Sequence, residues 1–158
     1  MTKYSILITI GFIMLCSQCL FAQNISSLQK TLFERQIDSV FHCMINAADK
    51  LEYDKLAQGV NDKYNAGFIL NSLYFDSFDS LINFVKTRSQ GVRSQNIKVQ
   101  KEKITLLSEN IALLTAFGDS KTEVSSGEPF TVQFFWTFVY QKINNEWKVV
   151  QSHQSNVK

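Results

Sequence analysis

Cysteine is scarce in this chain. Of three cysteines in 158 residues, Cys16 and Cys19 lie in an apolar N-terminal stretch and only Cys43 lies beyond it. If that stretch is a removable leader, no intrachain disulfide can form in the remainder, and stability must come from packing. A concentrated basic face is also lacking. The formal charge is +2 and includes Lys3, so the chain beyond the leader sits near +1 with both signs interspersed, which argues against a nucleic-acid or anionic-membrane partner. The densest positive stretch, KVQKEK from Lys98 to Lys103, reads as a solvated strand edge guarded by lysines. No long hydrophobic run is present either: Ile6 to Leu15 falls well short of the roughly 20 residues a membrane-spanning helix needs. No serine or cysteine triad, phosphate loop, cofactor fingerprint or metal-ligand spacing appears.

The N-terminus has the three-part plan of a secretory leader: one cation at Lys3, the apolar run, then SQCLFA ending in the small residue Ala22. Cleavage is predicted between Ala22 and Gln23, giving an exported, periplasmic or secreted protein with no stable membrane insertion. Leu15 and Gln18 precede the two leader cysteines, where a lipidation signal would have a small residue. About 136 residues remain (158 less 22), enough for one hydrophobic core. That remainder is ring-rich: the chain is 13% aromatic and holds 13 phenylalanines.

From Ser26, apolar residues recur at spacings of three and four (Leu28, Leu32, Phe33, Ile37, Val40, Phe41), predicting an amphipathic helix of about six turns that continues to Ala48. Ser26 with Gln29 forms a capping-box pattern at its start. Asn24, Ile25 and Ser26 make a glycosylation sequon. Cys43 beside His42 reads as a buried or partly buried structural thiol, since adjacent helix positions point about 100° apart and no other histidine is near enough in sequence to complete a metal site. AADKLEYDK marks the helix end or a shorter helix through Leu56 and Ala57, and GFILNSLYF (67–75) reads as a short extended hairpin or as a strand with a break at Asn71 and Ser72. A second helix capped by Ser77 or Asp79 should bury Phe78, Leu81, Ile82, Phe84 and Val85. Four strands at hairpin spacing then follow (96–107, 111–124, 130–143 and 146–156), suggesting an antiparallel meander with helices on one face.

The ending TFVYQKINNEWKVVQSHQS and the preceding ITLLSENIALLTAF resemble the closing strands of the nuclear-transport-factor-2-like superfamily, in its SnoaL-like branch; the resemblance spans Leu28 to Asn156. It implies a cone-shaped α+β (cystatin-like) fold, with a curved antiparallel sheet wrapped around a long first helix and a pocket at the open end. Relatives of this kind include isomerases, dehydratases, cyclases and noncatalytic binding or assembly domains. Many SnoaL-like members carry two histidines in the last strand, whereas this chain has Gln151 and His153 there. The resemblance also places Tyr64 and Tyr74 on the far side of the pocket.

If Asn144 and Asn145 form a two-residue turn, Ile143 pairs with Glu146, and counting outward brings Tyr140 opposite Val149, Phe138 opposite Gln151 and Trp136 opposite His153. One face would then be a wall of Phe134, Trp136, Phe138 and Tyr140 interrupted by Gln151 and His153, which suits a binding pocket. His153 is the leading acid/base candidate, while Asp76, Asp79, Glu102 and Asp119 read as solvated or capping acids. Three functions compete: a module holding a small apolar molecule or peptide, a proton-transfer enzyme using His153, and an assembly domain. Phe135 and Val139 on the opposite face predict a homodimer.

Overall fold

A computed structural model describes residues 25–157. The predicted leader, its cleavage point and Asn24 of the sequon lie outside the described residues. Helix α1 (Ser27–Asp49) opens with the predicted capping box: Ser26 Oγ accepts from the Gln29 amide at 3.2 Å, and Gln29 Oε1 accepts from the Ser26 amide at 3.3 Å. Its buried side is Phe33, Ile37 and Phe41, at the four-residue step of a helix face, with Ala47 near its end. Leu28 and Leu32, predicted on that side, are exposed, because core contact begins only at Phe33. The helix ends where Leu51 enters the left-handed region (φ 59°) and Glu52 N–H reaches back to Ala47 O at 2.8 Å, a closure that costs a non-glycine residue about 1–2 kcal/mol. Cys43 is exposed, neither buried nor partly buried as predicted, since it and His42 both fall on the solvent side of α1.

A 3-10 helix (Tyr53–Gly59) follows, at the place where the sequence suggested a shorter helix. Strands β1 (Phe68–Leu70) and β2 (Leu73–Phe75) form a small hairpin around Asn71 (φ 55°), the first of the two alternatives the sequence left open. Helix α2 (Phe78–Arg88) is capped by Ser77 Oγ, which accepts from the Ser80 amide at 3.2 Å. Asp62 Oδ2 also accepts from the Phe78 amide at 2.8 Å, tying the preceding loop to the helix start. Phe78, Leu81 and Ile82 are buried there, with Phe84 and Val85 half-buried.

Four long strands complete the chain: β3 (Val92–Leu106), β4 (Ile111–Val124), β5 (Phe130–Ile143) and β6 (Glu146–Val157). The sheet order is β2-β1-β6-β5-β4-β3. The long strands form the predicted antiparallel meander, but β1 runs parallel to β6, so the sheet is mixed. Breaks in the register of β3 at Arg93 and Gln100, and of β6 at Val150, bend and twist it. The core lies between α1 and the inner face. Phe41 meets Phe138 edge-on at 5.8 Å, Phe33 meets Trp147 at 5.6 Å, and Phe68 meets Phe78 at 5.5 Å. Each buried ring contributes about 1.5–3 kcal/mol relative to exposure. Asp49 locks the far end of α1 to the sheet by accepting from the Ile97 amide at 2.7 Å.

Candidate functional site

Asn144 and Asn145 both take positive φ (51° and 65°), the backbone of a two-residue type I′ turn. The turn sets the pairs Ile143 with Glu146 through Tyr140 with Val149 as predicted. One residue later the register slips. Val150 is an extra residue in β6, so Val139 pairs with Gln151, Phe138 with Ser152, Thr137 with His153 and Trp136 with Gln154. Because side chains alternate faces, a one-residue slip exchanges the two faces beyond it. The predicted pairings of Phe138 with Gln151 and Trp136 with His153 are therefore replaced, and both Gln151 and His153 turn outward. The cause lies at the bulge itself. Val149 and Val150 are both buried, and the Val60–Asn61 segment docks against β6 there, with Asn61 N–H donating to Val149 O at 2.8 Å.

The inner face keeps the predicted aromatic wall of Phe134, Trp136, Phe138 and Tyr140, now matched by Ser152, Gln154 and Asn156. Trp136 stacks on Phe134 at 4.0 Å and donates Nε1–H to Asn156 Oδ1 at 3.3 Å. Asn71, from the β1–β2 turn, accepts from the Asn156 amide at 2.7 Å and donates its own amide to Gln154 O. The short hairpin thereby fixes the end of β6 on which these two side chains ride.

This wall faces a cavity of about 570 Å³ between the sheet, α1 and α2. Its body is apolar: Met44, Ile45 and Phe41 from α1, Leu81 and Val85 from α2, and Phe138 from the sheet. Uncharged polar groups enter from the sheet as Gln95, Ser120, Thr122, Gln154 and Asn156. Asn71, Arg88 and Phe130 line it and are exposed, which places its mouth on their side. Among the described residues lining the cavity none is Asp, Glu, His or Cys, and Arg88 supplies the charge. An apolar volume of this size with a few convergent polar groups suits a small ligand.

His153 sits on the opposite, convex face. It is exposed, with Ser155 Oγ 3.5 Å from Nε2, and lies in a shallow depression with Phe117, Phe135 and Thr137. No ion pair among the described residues reaches it. Phe135 stacks on Phe117 at 6.1 Å and is 52% exposed. Tyr64 and Tyr74 are not among the residues lining the inner cavity. Tyr64 is 51% exposed under the Lys63 ammonium, which holds its phenol below the usual value, and Tyr74 is 63% exposed with its hydroxyl over Gly67.

Among the acids, Asp79 lies in the first turn of α2, and Asp119 accepts from Gln100 on the neighbouring strand. Glu102 departs from its predicted solvated place. Its Oε2 is buried against α1, and burial followed by the nearby Asp38 carboxyl pushes its pKa up, with His42 opposing. The inward positions Ser152, Gln154 and Asn156 escaped sequence reasoning because the bulge leaves no mark in the turn. Glu102 escaped because its partners are about sixty positions away.

A curved sheet wrapped round one long helix, open at one end onto a cavity, is the nuclear-transport-factor-2-like architecture. It superposes on a nuclear-transport-factor-2-like protein of Salmonella enterica (TM-score 0.73, 16% identity, 82% of this chain and 94% of that one). It also superposes on a Novosphingobium aromaticivorans protein with a provisional scytalone dehydratase assignment (0.76, 10%, 84% and 89%) and on the hexachlorocyclohexane dehydrochlorinase LinA-type3 of Novosphingobium barchaimii (0.69, 13%, 83% and 90%). Within this fold the chain belongs to the calcium/calmodulin dependent protein kinase II association domain family, whose model matches residues 30–158. No curated protein matches it by sequence.

Proposed function

We propose that this chain is an exported, noncatalytic binding module that holds a small, mainly apolar molecule in its cone. The observation that carries the reading is the inner cavity of about 570 Å³, apolar in body and lined by amides and hydroxyls instead of a carboxylate or imidazole. Proton-transfer chemistry on a bound molecule asks for a positioned acid or base. The leading candidate, His153, lies across the sheet from the cavity. Amides and hydroxyls orient a ligand without exchanging protons with it at neutral pH. Export rests on the leader anatomy of residues 1–22.

The test uses Trp136, which lines the cavity, as the sole indole in a Trp147→Phe background. An environment-sensitive apolar dye such as Nile red should quench it saturably with 1:1 stoichiometry. Ser120→Leu, which fills the cavity from the sheet, should weaken binding at least tenfold. Dye binding that is absent, or that is indifferent to Ser120→Leu, would sink the reading. Native mass spectrometry of protein from its own host should then report the copurifying molecule.

A second reading, self-assembly through the convex face, is favoured by the exposed Phe117–Phe135 stack and by the association-domain family match. The two are compatible because they use opposite faces of one sheet.

A further inference from the structure

Away from the cavity, α1 and β3 bring together three groups that no aspect of ligand binding uses. Asp38 and His42 are four residues apart on one face of α1, and Glu102 reaches them from β3. His42 Nε2 lies 3.4 Å from Asp38 Oδ1 and 3.2 Å from Glu102 Oε2. The three donor atoms all lie within 4.8 Å of one another. We propose that Asp38, His42 and Glu102 form a divalent metal site, matched best to Zn²⁺, that staples α1 to β3.

The distances favour tetrahedral coordination. Bonds of about 2.0–2.2 Å from zinc to nitrogen and oxygen put neighbouring ligands of a tetrahedron about 3.3–3.6 Å apart, while an octahedron of similar bond length wants about 3.0 Å. The two edges at 3.2 and 3.4 Å lie nearer the tetrahedral range. The imidazole also weighs against Ca²⁺ and Mg²⁺, which prefer all-oxygen cages, and toward the zinc end of the first-row series. Three protein ligands leave a fourth position for water.

A second observation is independent of these distances. Glu102 Oε2 is buried and has no aligned hydrogen-bond donor among the described residues, although an imidazole nitrogen stands 3.2 Å away. In a salt bridge the N–H should point at the oxygen. In a metal site each donor points at a shared centre and not at its neighbour. The Tyr140 hydroxyl, fully buried and within reach of the Glu102 charge, has no hydrogen-bond partner among the described residues. A buried carboxylate oxygen left open beside a second carboxylate, with an open buried phenol in the field of Glu102, is what a bound cation and its water would satisfy. Two carboxylates and a neutral imidazole carry a charge that a divalent ion balances.

The sequence offered no spacing for this site because Asp38 and His42 are met by a strand some sixty residues later. The competing occupant is a proton on His42, which would make the trio an ordinary charged cluster.

The test takes protein purified from its host, strips it with chelator and carries Cys43→Ser to remove the exposed neighbouring thiol. Zn²⁺ should bind 1:1 with a micromolar or tighter Kd and raise the Tm by several degrees, and Co²⁺ should give the intense visible bands of tetrahedral coordination. Both signals should weaken at least tenfold in His42→Ala and in Glu102→Gln, and survive in Asp79→Asn. Should either variant fail to fold, Asp38→Asn, at a half-exposed position, carries the comparison. Absence of 1:1 binding, weak octahedral Co²⁺ bands, or metal affinity unchanged by all three ligand substitutions would overturn the site. None of these outcomes touches the cavity, so the binding-module reading stands or falls separately.

Discussion

Single residues in this protein show where burial and hydrogen bonding part company. Tyr140 has no exposed surface, yet its hydroxyl has no hydrogen-bond partner among the described residues, and burial together with the Glu102 charge pushes its pKa well above the usual phenol value. An unsatisfied buried hydroxyl costs about 1–3 kcal/mol. Tyr140→Phe should therefore stabilise the chelator-treated protein by about 1 kcal/mol in urea denaturation; a loss of similar size would reveal a hidden partner. Asp49 is the opposite case, a carboxylate with a good partner and a desolvation cost that outweighs it. Burial raises its pKa, and the Ile97 N–H lowers it by less. A folded pKa above the unfolded one means the associated stability is present below the unfolded value of about 3.9 and is lost as pH rises through the folded value. Asp49→Asn keeps an acceptor for Ile97 and removes the titration. Its urea midpoint relative to wild type should climb as pH is raised from about 3.5 to about 6, and parallel curves for the two proteins would contradict the assignment.

At the scale of elements, the sheet owes its curvature to positions where one strand has a residue too many. Gly118 on β4 faces the bulge of β3 at Gln100. A Cβ on Gly118 would stand 2.0 Å from Lys98 O and 3.0 Å from Gln100 N. Both are backbone atoms and cannot swing aside, so Gly118→Ala should cost at least about 2 kcal/mol in denaturant unfolding, and a near-neutral result would mean the bulge relaxes freely. The bulges also divide what the sequence disclosed from what it hid. Periodicity and caps announced both helices and all four long strands, and left the short hairpin as one of two alternatives, because each signal is local: Ser26 with Gln29, Ser77 before Phe78, Asn144 with Asn145. The aromatic wall was legible for the same reason. Its polar complement was not. Val150 is one apolar residue among several, and only the docking of Val60 and Asn61, ninety positions earlier, turns it into a bulge. That single extra residue moved His153 from the predicted pocket to the outer surface and brought Gln154 and Asn156 inward. The parallel pairing of β1 with β6 was hidden in the same way, since nothing near either strand in sequence specifies the other.

At the scale of the whole molecule, export and assembly are separate claims. If the leader is removed after Ala22, protein recovered from its host should begin at Gln23 by intact mass; a retained leader carrying lipid on Cys16 or Cys19 would sink the export reading.

Assembly turns on the convex face, where area and chemistry can both be weighed. The four long strands, at about 3.3 Å per residue over 12–15 residues and about 4.8 Å between strands, present a face of very roughly 800 Å², about what each partner of a stable complex buries. Its centre holds the Phe117–Phe135 stack with half-buried Val139 nearby, and Lys101 and Lys103 stand exposed on edge strand β3. An apolar centre with a charged margin is the plan of a protein interface. The wild-type protein should sediment as a homodimer at micromolar concentration. Phe135→Asp should give a monomer with an unchanged circular dichroism spectrum, because Phe135 points away from the core that its neighbour Phe134 fills. Tyr74→Asp, on the far edge hairpin, should leave the dimer intact. A wild type already monomeric at about 100 μM, well above the micromolar range of ordinary specific association, would exclude this face as a pairing surface. Because the cavity opens on the other side of the sheet, the Phe135→Asp monomer should still bind the apolar dye with wild-type affinity; a joint loss of pairing and dye binding would mean that the two faces are coupled through β5.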